Sequence, residues 1–136
     1  MKRAGIYLIV VAAWLGCVAV WAGDSASRAP GLVGGPEWAL VPGASSPEAR
    51  SFSAMAYDGA RKRVVLFGGF NGSSILGDTW EWDGSSWIQR APATSPPSRA
   101  NHAMAYDSVR GRVVLFGGIN WEGGGNNILA DTWEWD

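Results

Sequence analysis

Along most of the chain, apolar and polar positions follow one pattern that appears twice. The first copy runs A-R-S-F-S-A-M-A-Y-D-G-A-R-K-R-V-V-L-F-G-G from Ala49 to Gly69. The second runs R-A-N-H-A-M-A-Y-D-S-V-R-G-R-V-V-L-F-G-G from Arg99 to Gly118. Ser53–Tyr57 alternates, which puts Met55 and Tyr57 on one face of a strand. Arg63–Phe67 holds the unbroken apolar run Val64-Val65-Leu66-Phe67, suited to a strand covered on both faces. Thr79–Asp83 alternates again, with Trp80 and Trp82 on one side and Thr79, Glu81 and Asp83 on the other. A fourth strand begins at Trp87. Asp58 to Lys62 reads as a hairpin turn, in which Asp58 bonds the backbone two residues on and Gly59 supplies positive φ. The pair Gly68-Gly69 is expected to end the second strand. The loop after it then spans Phe70 to Gly77 in the first copy and Ile119 to Ala130 in the second.

The spacing is regular. Arg50 maps to Arg99, Met55 to Met104 and Phe67 to Phe116, each 49 residues apart. Both copies then reach D-T-W-E-W-D, at Asp78–Asp83 and Asp131–Asp136, now 53 apart because the second has four extra residues after its Gly pair. Trp38 precedes Arg50 by 12 residues, as Trp87 precedes Arg99, so a strand at 38–42 belongs to a partial third copy. A repeating four-stranded antiparallel meander predicts an all-β fold made of β-propeller blades. One blade is expected over 50–91 and another over 99–136, the latter lacking its fourth strand. Closed propellers have roughly four to eight blades, so two make a partial propeller. The chain then reads as a piece of a longer propeller. The competing expectation is a homo-oligomer, with three copies making six blades and the strand at 38–42 completing a second blade in its own or a neighbouring chain.

Upstream the pattern changes. Met1-Lys2-Arg3 is a basic start, and Ile6 to Trp21 is almost wholly apolar and ends at Val20-Trp21-Ala22. Residues 1–22 therefore read as a signal peptide of bacterial type, cleaved after Ala22. The run of 16 residues is short for a membrane-spanning helix, which needs about 20. Lipidation at Cys17 is disfavoured, because Trp14 stands where a lipoprotein box wants an aliphatic residue. Retention as an anchor is the remaining alternative. All three readings put the rest of the chain outside the cytoplasm, as a secreted, periplasmic or cell-surface protein that meets a membrane only through this segment. Residues 23–36, rich in Gly, Ser, Ala and Pro, read as a flexible linker.

Composition narrows the chemistry. The net charge is −1, and the longest basic run is Arg61-Lys62-Arg63, so no nucleic-acid surface is expected. One cysteine and one histidine, His102, supply no metal-ligand set, and no cofactor is expected. Nineteen glycines and nine tryptophans suit many short strands joined by tight turns.

These residues resemble the kelch repeat family. The resemblance rests on the Gly pairs Gly68-Gly69 and Gly117-Gly118, the aromatic Trp82 with Trp87 a few residues on, and Arg50, Arg99 and His102 near the start of the first strand. It covers Trp38 to Asp136. Ser53 departs from His102, and Trp82 stands where the family often has Tyr. The resemblance implies a non-catalytic binding module. A minority of the family, including the galactose oxidase type, are enzymes, but that copper site uses Tyr and His from several blades, which one His and three Tyr do not supply. The alternatives are a fragment of a larger secreted propeller enzyme and a truncated non-functional product.

A protein or carbohydrate ligand is expected at the loops after the Gly pairs. Asn71, Asn120, Trp121 and Glu122 are the contact candidates, with Arg50 and Arg99 beside them. Trp121 is the one Trp beyond the signal segment that lies outside the repeat pattern; it either stacks on a ligand or packs over the neighbouring blade. Recurrence of Arg50 and Arg99 favours a structural role bonding loop carbonyls. Trp80, Trp82, Trp87, Trp133 and Trp135 are expected to pack between blades. No catalytic residue is assigned.

Overall fold

The computed structural model describes residues 37–41, 45–121, 125 and 127–136. The expected signal segment, linker and Glu122 lie outside the described residues. Trp38–Asp136 forms one compact unit. Among the described residues it is all-β, with seven strands and no helix. They are β1 (Ala54–Asp58), β2 (Arg63–Phe70), β3 (Ile75–Trp82), β4 (Trp87–Arg90), β5 (Ala103–Asp107), β6 (Arg112–Asn120) and β7 (Asn127–Trp135). The first four pair antiparallel in chain order and the last three do the same. The result is two meanders, stacked as blades of a partial propeller-like fold.

The turns that join them are local. Asp58 Oδ1 accepts hydrogen bonds from the Ala60 and Arg61 backbone N–H groups, both at 3.0 Å, and Asp107 does the same for Val109 and Arg110. The left-handed residue of this turn is not Gly59 but Lys62 (φ 55) and, in the second copy, Gly111 (φ 69). The Asx-type bonds from the aspartate settle the first half of the turn, so the reversal falls on its last residue.

The second strand of each sheet runs past its Gly pair instead of ending there. Register slips between Phe67 and Gly69, then pairing resumes as Gly69↔Leu76 and Phe70↔Ile75. The second sheet repeats this between Phe116 and Gly118. A β-bulge absorbs one extra residue and lets the ladder continue. The loop after β2 is therefore 71–74, shorter than expected, and β6 likewise runs on to Asn120 with β7 starting at Asn127.

One sheet lies on the other through faces of different composition. Ala56 and Val65 of the first sheet and Val113 of the second form the buried cluster, flanked by Met104, Tyr106 and Trp135. The expected strand at 38–42 does not form: residues 38–41 have no strand pairing, Trp38 and Leu40 are fully exposed, and residue 42 lies outside the described residues. Strand conformation needs a partner edge, and none reaches this segment among the described residues.

Candidate functional site

The two recurring arginines are the best-anchored side chains in the fold. Arg50 lies just before β1. Its guanidinium grips Asp78 through Nη1 and Nη2, at 2.6 and 2.9 Å. Nη1 also donates to the Gly68 carbonyl at 3.0 Å, and Nε to the Glu48 carbonyl at 3.1 Å. Trp80 Nε1 donates to Asp78 Oδ2 at 2.6 Å. Arg99 repeats the whole set with Asp131, Gly117, Pro97 and Trp133. These fork-shaped ion pairs tie the segment entering a sheet to the Gly pair of its second strand and to the middle of its third, where that third strand carries the extra residue of the bulge. Burial raises the Asp78 pKa, but the bonds from Arg50 and Trp80 outweigh it and hold the carboxyl below its ordinary value. The Arg99 and Trp133 bonds hold Asp131 low as well. Both arginines thus have every nitrogen directed at structural partners, which leaves little for a ligand.

The loop candidates divide in the same way. Asn71 caps its own turn, its Oδ1 accepting from Ser73 and Ser74 N–H at 3.0 and 2.8 Å, while its amide donates to Glu48 at 3.2 Å. Asn120 lies in β6 and is buried, not in a loop. Trp121 meets Phe70 of the neighbouring sheet edge-to-face, centroids 5.6 Å apart, and stays partly exposed. Phe70, Asn71, Glu48 and Trp121 therefore come together at the loop end. Arg50 and Arg99 stand behind them, in the framework.

Three groups carry more of the architecture than the repeat pattern suggested. Glu81 is buried and takes Arg61 Nη1 at 2.9 Å, Arg90 Nε at 2.8 Å and Trp135 Nε1 of the second sheet at 3.0 Å. Burial raises its pKa, but the Trp135 and Arg90 bonds and the Arg61 charge bring it below the ordinary value. Tyr106 Oη accepts the Ala60 N–H at 3.0 Å, a second bond between the sheets. His102 is buried edge-on against the Phe67 ring at 5.6 Å; burial and the Arg99 charge push its pKa down to about 4. The sequence signals for Glu81 were its repetition in D-T-W-E-W-D and its place on the face opposite Trp80 and Trp82.

The tryptophans split by sheet. Trp135 packs against the cluster between the sheets. Trp82 and Trp87 sit together on the opposite face of the first sheet, 5.7 Å apart, a face without a second sheet among the described residues. Among the described residues no group of three His, Cys, Asp or Glu side chains could hold a metal ion, and no helix is long and apolar enough to cross a membrane. Compared with known proteins, the chain matches no family model and no curated protein.

Proposed function

We propose that this chain is an exported, non-catalytic kelch-type propeller segment that binds a protein or glycan through the loop end carrying Phe70, Asn71 and Trp121. One observation carries the reading. An edge-to-face aromatic pair, partly exposed, sits beside an amide and a carboxylate at the ends of β2 and β6, whose Gly pairs are locked from behind by Arg–Asp forks with buried arginines. Aromatic anchors on a rigid scaffold, rimmed by polar groups, are how binding surfaces concentrate their energy. The kelch assignment draws on the repeated Gly pair, the repeated Arg and the Trp pattern; export draws on residues 1–22.

Arrays of immobilised oligosaccharides and of peptides, probed with the wild-type chain and with Trp121→Ala, test this. Binding to at least one class that falls tenfold or more in Trp121→Ala, with the circular dichroism of the variant unchanged, is expected. Equal binding by both proteins, or none by the wild type, sinks the reading.

A further inference from the structure

Among the described residues the chain builds one sheet-on-sheet interface and leaves the outer face of each sheet without a facing sheet. In that interface the first sheet offers Ala56, Val65, Phe67 and Glu81, and the second covers them with Met104, Tyr106, Val113 and Trp135. The repeat places the same chemistry on the outer faces. Ala105, Val114, Phe116 and Glu134 face outward from the second sheet, and Met55, Tyr57, Val64 and Trp82 from the first. Exposure records the difference. Phe67 is 3% exposed and its counterpart Phe116 is 54%. The Glu81 side chain is 1% exposed and Glu134 is 32%. Met55 and Tyr57 are about half exposed.

We infer that these two faces dock on each other between copies of this chain, head to tail. Three features select a second copy as the occupant. The first is polar complementarity. Glu134 already holds Arg110 and Arg112 but lacks the indole N–H that Trp135 gives Glu81, and Trp82 of a second copy would supply it. Tyr57 of that copy would take the Val109 N–H, as Tyr106 takes that of Ala60. The second is the approach of the chain to the first sheet. Arg50 bonds the Glu48 carbonyl as Arg99 bonds that of Pro97, and Ser45 Oγ donates to the Trp87 carbonyl at 2.9 Å. The third is the segment before it. Trp38–Val41 corresponds to β4 and is exposed, Trp38 fully so. β4 pairs with β3 and then leads into the second sheet. Trp38–Val41 of a second copy would pair in the same way with the outer edge of β7 and lead into that copy's first sheet. The contact is heterologous, so it closes into a ring or grows into a filament. It does not depend on the ligand-binding reading above.

Sedimentation velocity on the full chain, with two single variants, tests it. The wild type is expected to sediment as species larger than one chain, increasing with concentration. Phe116→Lys and Met55→Lys each spoil one face at a half-exposed position, and each alone is expected to remain monomeric. Mixed one to one, they retain one good face each and should form a dimer of one of each. A monomeric wild type would overturn the proposal and leave both faces to sheets of another chain. So would assembly that survives either substitution, or a mixture that stays monomeric. Should a variant misfold by circular dichroism, a second measurement applies: Val109→Cys and Tyr57→Cys chains, each with Cys17→Ser so that one thiol remains, mixed with a short bis-maleimide, should give a product of two chains. Failure of cross-linking while each protein is folded overturns the contact.

Discussion

At the scale of single residues, the fold depends on charged side chains placed where water is scarce. The Arg50–Asp78 and Arg99–Asp131 forks are paired, hydrogen-bonded to carbonyls and backed by an indole N–H, the condition under which a buried charge is tolerated. His102 is the opposite case, a group kept neutral by burial. Its pKa falls from 6.5 to about 4, so the unfolded chain binds the proton more tightly. The stability due to the neutral ring is complete above pH 6.5 and drains away as pH falls toward 4. The loss is on the order of 3 kcal/mol. Urea denaturation across that window should show the decline, and His102→Ser, which installs the residue of the first copy, should flatten it. Below that window Asp78 and Glu81 take over: their lowered values mean stability held above the ordinary carboxylate range and lost as pH falls through the folded-state values.

At the scale of elements, the Gly pair is the decisive feature. Gly68 has φ +57, and a Cβ there would stand 2.5 Å from the Arg99 carbonyl oxygen and 3.0 Å from that of Leu76. Beside it, Gly69 donates its N–H to the Arg99 carbonyl at 2.9 Å. The bulge is therefore where the backbone entering the second sheet crosses the first, and nothing larger than hydrogen fits. Gly68→Ala should cost roughly 3 kcal/mol or more, since backbone on both sides must move. Gly72→Ala, with φ +96 but open space around it, should cost about 1–2 kcal/mol. Thermal melts of the two variants side by side check this, and equal losses would refute the close-approach account. The strands themselves were legible from alternation and from the Val-Val-Leu-Phe run. Their ends were not. A Gly pair signals both a stop and a bulge, and only the pairing of Gly69 with Leu76 across the sheet tells them apart.

At the scale of the whole molecule, the two sheets hold together through unlike faces, and Glu81 is the polar centre of their contact. Glu81→Gln removes a buried charge that serves two arginines and the Trp135 indole, so a loss of about 2–3 kcal/mol is expected after allowing for the partly exposed arginines. Glu134→Gln, the same change in the second copy, lies at the surface and should cost under about 1 kcal/mol. Chemical denaturation of both variants gives the comparison, and equal midpoints would show that Glu81 does not join the sheets. The candidate site was legible only in part. Trp121 stood out because it broke the repeat, and the structure sets it beside Phe70. Arg50 and Arg99 read from their recurrence either as contacts or as structural residues bonding carbonyls, and only the structure shows their nitrogens directed at Asp78, Asp131 and nearby backbone carbonyls.

The repeat, the strand periodicity, the Asx-bonded hairpin turns and the all-β class were determined by the sequence alone, because each depends on residues a few positions apart. Which face of a sheet is covered, which arginine nitrogen meets which carboxylate, and whether a glycine pair ends a strand or bends it were decided by the tertiary structure. The first two outcomes depend on groups 18 to 54 positions apart, the third on two strands meeting side by side, and chemically equal copies such as Phe67 and Phe116 differ in fate only through what lies against them.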